Sequence, residues 1–124
     1  MSARPPLALI LLSADPARLH GALMLARAEG ALGGAARLFL QGEAAALLRA
    51  PISAPQDAAW RAAGEPVLAA LIDEALEDGV GIALCQSGLA LAGLDASALD
   101  ARIALSGPVA FLAGLDGATR LVTI

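Results

Sequence analysis

The sequence predicts an α/β protein: a three-layer α/β/α sandwich around a five-stranded parallel sheet. Short apolar runs alternate along the whole chain with segments of helical periodicity, the pattern of a parallel sheet covered by crossover helices. Cap and turn residues punctuate nearly every junction. A chain of 124 residues is the size of one domain with one conventional core, so 1–124 is read as a single α/β domain.

The elements follow in order. Leu7 to Leu12 is an uninterrupted apolar run, as in a central strand covered on both faces. Ser13-Ala14-Asp15-Pro16 then supplies a helix start, with Asp15 as cap and Pro16 in the first helical position. That helix runs to about Leu32 and stops at Gly33-Gly34. Arg37-Leu38-Phe39-Leu40 is the second strand, followed by Gln41-Gly42 and a brief helix from Glu43 to Arg49. The segment Pro51 to Pro66 changes character: prolines, Ser53, Gln56, Asp57 and the sole tryptophan, Trp60, mark a loop or short helical excursion.

Val67 to Asp78 reads as an amphipathic helix, with Val67, Leu68, Leu71, Ile72 and Ala75 inward and Asp73, Glu74, Glu77 and Asp78 outward. Val80 to Leu84 is the third strand, then Cys85, then a short helix around Ser87 to Ala92 closed by Gly93. A turn of helix at Asp95 to Leu99 precedes a fourth strand, Arg102 to Leu105. Ser106-Gly107-Pro108 opens a helix through about Leu115, and Asp116-Gly117 turns the chain into a last strand, Thr119 to Thr123. Right-handed crossovers leave few topologies, and the expected strand order is 2-1-3-4-5.

Composition narrows the function classes. The hydrophobic fraction is 58% but aromatics are only 2%, so the core is built from closely packed Leu, Val, Ile and Ala. The formal net charge is −4 and all eight basic residues are scattered arginines, which argues against a nucleic-acid or anionic-membrane surface. No run of about 18 apolar residues marks a membrane span. The stretch Leu7 to Leu12 is short, follows Pro5-Pro6 and runs into Asp15-Pro16, so it reads as a strand rather than a signal peptide. A single cysteine makes no intrachain disulfide. Together these features give the expectation of a cytoplasmic protein that touches neither membrane nor nucleic acid.

Cys85 is the residue with chemical interest. It stands where a strand meets a helix, and a helix N-terminus offers unpaired backbone N–H groups that stabilise a thiolate. The competing reading is a small apolar packing residue, the commonest role of a free cysteine. In the expected strand order the ends of strands one and three lie side by side, and ligands bind outside such a reversal of parallel strands. The loops meeting there are Ser13 to Pro16 and Cys85 to Gly88, which makes Ser13, Asp15, Gln86, Ser87 and Gly88 the candidate substrate-binding residues. The N–H groups of Gln86, Ser87 and Gly88 are the expected anion donors, with Gly88 permitting close approach. Ser87 is read at least as well as a helix cap, and Asp15 better as a capping aspartate than as a catalytic acid. His20, with Met24 and Arg27 at helical spacing, suggests a solvent or subunit face, and Trp60 ordinary burial. No dinucleotide, P-loop or Ser-His-Asp signature occurs, and one cysteine with one histidine falls short of a zinc ligand set.

This arrangement resembles the DsrE/DsrF-like, or YchN-like, family. The resemblance rests on the opening strand and Ala-rich helix, on Arg37-Leu38-Phe39-Leu40-Gln41-Gly42-Glu43-Ala44, and on Gly79-Val80-Gly81-Ile82-Ala83-Leu84-Cys85-Gln86-Ser87-Gly88 followed by Leu91-Ala92-Gly93-Leu94. It covers essentially the whole chain. It implies a five-stranded parallel sheet, a homo-oligomer such as a trimer or hexamer, and no cofactor. In the sulfur-relay members a cysteine at this junction carries sulfur as a persulfide. Carried over, the catalytic residue is Cys85, and the implied partners are sulfur donor and acceptor proteins. The alternative is a non-catalytic oligomeric small-molecule-binding or scaffold protein in which Cys85 only packs. A two-cysteine disulfide exchange is excluded, since the chain holds no resolving cysteine.

Overall fold

Strand β1 (Leu7–Leu11) is followed by helix α1 (Pro16–Ala31) and strand β2 (Ala36–Leu40) in the computed structural model, which describes residues 4–124. A 3-10 segment, Gly42–Leu48, leads to helices α2 (Asp57–Ala62) and α3 (Leu68–Glu77). The rest of the chain alternates: β3 (Gly81–Cys85), α4 (Gln86–Leu91), a 3-10 turn Ala96–Ala98, β4 (Ala104–Ser106), α5 (Pro108–Ala113) and β5 (Arg120–Thr123). The α/β alternation, the parallel sheet and its five strands agree with expectation. Cys85 closes β3 instead of following it, and β4 is displaced to Ala104–Ser106.

The strand order is 4-3-2-1-5, all parallel. This corrects the expected 2-1-3-4-5: β2 separates β1 from β3. In register, Leu9 pairs with Leu38, Leu38 with Ile82, and Cys85 with Ser106 of β4. β5 pairs on the far side of β1, with Leu7 opposite Arg120. A charged anchor holds that edge. The Glu29 carboxylate of α1, 5% exposed, accepts from Arg4 at 2.7 Å and pairs with Arg120 of β5 at 2.8 Å.

The two faces of the sheet are covered unequally. Leu9, Leu11, Leu38, Leu40, Ile82 and Leu84 face the large core, which takes Leu19 and Leu23 from α1, Leu68 and Leu71 from α3, and Leu89 from α4. Each fully buried leucine contributes about 1.5–3 kcal/mol relative to exposure, more than the alanines between them, so these leucines anchor the helices. On the opposite face, among the described residues, Ala8, Phe39 and Cys85 are joined only by Phe111 of α5 as a further buried residue, with Ile10, Ala83 and Leu115 half-buried around them. The third layer is therefore a single helix of six residues.

Those contacts fix where the chain reverses. The connections from β1 to β2, β2 to β3 and β3 to β4 carry helices that pack on the first face, while α5, between β4 and β5, packs on the second. Adjacent strands β3 and β4 thus lead into helices on opposite faces. The reversal lies between Cys85 and Ser106, and a crevice at such a point is where open parallel sheets bind ligands.

The 51–66 segment is ordered by three side chains. Asp57 accepts from the backbone N–H of Ala54 and, across the loop, from that of Leu68, capping α3 from a distance. His20 stacks on Trp60 with ring centroids 3.8 Å apart, and its Nε2 bonds the Pro66 carbonyl at 3.0 Å. His20 is 7% exposed. It is a buried clamp for the loop, which corrects the reading of a solvent or subunit face. No helix among the described residues is long and apolar enough to cross a membrane.

Candidate functional site

Strand β3 delivers Cys85 to its carboxyl end because Ile82 and Leu84 bury on the α1/α3 face, while Ala83 and Cys85 alternate onto the α5 face. The backbone of Cys85 caps α4, and its side chain makes no cap hydrogen bond to the first turn of that helix. The backbone N–H groups of Gly42, Gly88 and Ser87, and the Ser87 hydroxyl, lie around the Cys85 thiol. Burial alone pushes the thiol pKa up. These donors favour the anion, outweigh burial, and leave the pKa below its ordinary value.

Gly42 is the member of this nest that sequence reasoning missed. It follows β2 with φ +59°, a left-handed conformation that favours glycine, and turns the chain so that its N–H lies near the thiol of the neighbouring strand. The Gln41-Gly42 dipeptide signals a turn, but nothing local ties it to a residue so far along the chain. Gly88 serves closeness between elements. A Cβ there would run into the Gly42 carbonyl oxygen and crowd the Ala45 Cβ, so α4 packs on the 3-10 segment only because position 88 is glycine. Its close approach is therefore to Gly42 as well as to the sulfur.

The other expected site residues divide. Ser87 and Gly88 stand in the first turn of α4 beside Cys85, and Cys85 rather than Ser87 holds the cap position. Gln86 is exposed and is not among the sulfur's donors. Asp15 is a cap: its Oδ1 accepts from Ala17 N at 2.9 Å. Ser13 follows β1, and β2 with its Gln41-Gly42 turn stands between that loop and Cys85. The Ser13 Oγ and Gln41 Oε1 atoms are buried without a hydrogen-bond partner.

Cys85 is 1% exposed. The site thus joins two properties, a thiol whose pKa the surrounding polar groups lower and a sulfur closed off from solvent. On the α5 face, two grooves meet at Phe111. One of about 360 Å³ runs beside Ala83, Ala104, Ser106 and Phe111, and an apolar one of about 190 Å³ runs beside Ile10, Phe39, Gln41 and Phe111.

Fold and site together define a parallel α/β protein with one buried free cysteine at the carboxyl end of an inner strand. No family model matches the sequence, and no curated protein matches it. Among solved structures, the crystal structure of the YchN protein from E. coli superposes with a TM-score of 0.63 over 100% of both chains, at 18% identity. The chain has the YchN-like fold that its strand and glycine pattern resembled.

Proposed function

We propose that this chain is a single DsrE-like domain that carries sulfur on Cys85 as a sulfurtransferase or persulfide carrier. The observation that carries the reading is the placement of the one cysteine at the β3–α4 junction, where α4 starts and Gly88 packs against Gly42 beside it. In the first step the Cys85 thiolate attacks the outer sulfur of a donor persulfide R–S–SH. A bond forms from Sγ to that sulfur, the donor S–S bond breaks, and R–S⁻ leaves as a thiolate. In the second step an acceptor thiolate attacks the outer sulfur of Cys85–S–SH and the Cys85 thiolate returns. Sulfur moves with no net oxidation, and the nest that holds the thiolate also suits the persulfide anion.

Intact-protein mass spectrometry after exposure to a persulfide donor tests this. The expected result is a gain of one sulfur atom that is absent in Cys85→Ser. No adduct under any donor condition would overturn it.

The second reading is a non-catalytic oligomeric binding or scaffold protein with a structural cysteine. It is favoured by the burial of Cys85 and by exposed apolar side chains around α5, namely Leu12, Val109, Leu112 and Leu121. Light scattering that gives a trimer or hexamer would support self-association under either reading. Only the absence of sulfur loading would select the scaffold.

A further inference from the structure

A thiol that is both activated and closed off needs a way to be reached, and α5 is the element built to provide it. Of the four buried residues in the Cys85 cluster, Ala8, Phe39 and Cys85 belong to the sheet, and Phe111 alone comes from outside it. Phe111 is also the only buried residue of α5, and its ring stacks on Phe39 with centroids 4.6 Å apart. A helix of six residues has no stability of its own, so this one side chain and its stack hold the helix to the sheet.

The surroundings of α5 leave it free to move. Gly107 precedes it and Gly114 follows it, so both ends are residues that absorb backbone rotation readily. The two grooves lie along its flanks, so no other element packs against its sides there. At its C-terminal end the side-chain bond from Arg37 to the Gly114 carbonyl is long, at 3.5 Å. Val109 and Leu112 point outward, with Val109 83% exposed.

We propose that α5 is a hinged lid over Cys85, latched by the stacking of Phe111 on Phe39, and that the thiol reacts from an open state in which Phe111 has left Phe39. Opening joins the two grooves into one trough across the α5 face of the sheet, apolar at the Ile10 and Phe39 side and bordered by Arg37 and Arg102 at the other, and brings the sulfur to its floor. The nest of N–H groups comes from the β2 and β3 ends and stays in place, so the thiolate keeps its donors when the lid lifts. The use of this lid in sulfur transfer rests on the carrier reading, whereas its existence does not.

Alkylation of Cys85 by iodoacetamide, followed by intact-protein mass across urea concentrations below the unfolding transition, tests the lid. A local opening exposes little surface, so the labelling rate is expected to stay nearly flat in urea and to exceed the rate set by global unfolding. Phe111→Ala should speed labelling in the absence of urea roughly tenfold or more. Phe111→Leu, which keeps an apolar anchor without the ring stack, gives a smaller acceleration and serves if the alanine variant does not fold. Val109→Ala, on the same helix but exposed, should label at the wild-type rate. The proposal is overturned if labelling rises with urea from zero along the slope of global unfolding, or if both Phe111 variants label at the wild-type rate. Labelling through local opening without sulfur loading would keep the lid and remove the carrier. Sulfur loading in a protein labelled only by global unfolding would do the reverse.

Discussion

Gly88 of α4 rests against the carbonyl oxygen of Gly42, so closely that no Cβ fits between them. Both glycines also hold their N–H groups near the Cys85 thiol. Packing of helix against turn and assembly of the anion nest are thus one contact. Gly88→Ala is expected to push α4 away from the 3-10 segment and to destabilise the protein by about 1–3 kcal/mol, the usual range for overpacking a tight site. Urea unfolding measures the loss. The pH midpoint of Cys85 alkylation in the same variant should move up toward that of an ordinary thiol, and an unmoved midpoint would separate the nest from the packing.

The lowered Cys85 pKa has a defined consequence for stability. The unfolded thiol titrates near 9.0 and the folded one lower, so the folded state binds the proton more weakly. The thiolate's contribution is fully present above about pH 9 and is lost as pH falls through the folded pKa. The stability difference between wild type and Cys85→Ser should therefore grow as pH rises across that window, as read from urea midpoints at several pH values. Ser87→Ala removes one donor and should narrow the window from its lower end.

Glu29 titrates at about 2 in the fold against 4.5 when free, because Arg4 and Arg120 hydrogen-bond its carboxylate. Its stabilisation is complete above pH 4.5 and disappears as pH falls toward 2. Glu29→Gln should lower the melting temperature at pH 7 and flatten the acid limb of the stability curve. Equal acid sensitivity in variant and wild type would show that another carboxylate governs it. Gly34→Ala probes the same anchor without altering charge, since a Cβ there would collide with the Glu29 carboxylate.

His20 and Trp60 separate stacking from hydrogen bonding. His20→Phe keeps a ring over Trp60 but leaves the Pro66 carbonyl without its partner, at a cost of about 1 kcal/mol. Trp60→Ala removes the stack from a half-buried position and should cost about 1–3 kcal/mol. Limited proteolysis then reports the location: cleavage within 51–66 should accelerate in the tryptophan variant more than in His20→Phe.

The candidate site was legible only in its local parts. Cys85 at a strand–helix junction, with Ser87 and Gly88 one turn on, follows from an apolar run that ends where helix-starting residues begin. Gly42 was not legible, because its N–H reaches Cys85 through a strand pairing that no local pattern encodes. His20 misled for the same reason: its helical neighbours Met24 and Arg27 say nothing about Trp60, which arrives from a loop far along the chain.

By itself the sequence determined the order and type of the elements, the all-parallel α/β class and the position of Cys85 at a strand end. Periodicity, caps and turn residues act over a few positions, and those features need no more. Tertiary structure alone decided the strand order, the unequal covering of the two faces and the closure of α5 over the thiol. Each depends on which distant surfaces bury against each other. Glu29 of α1 meeting Arg120 joins the first helix to β5 beside β1, and Phe111 meeting Phe39 sets the lid above Cys85.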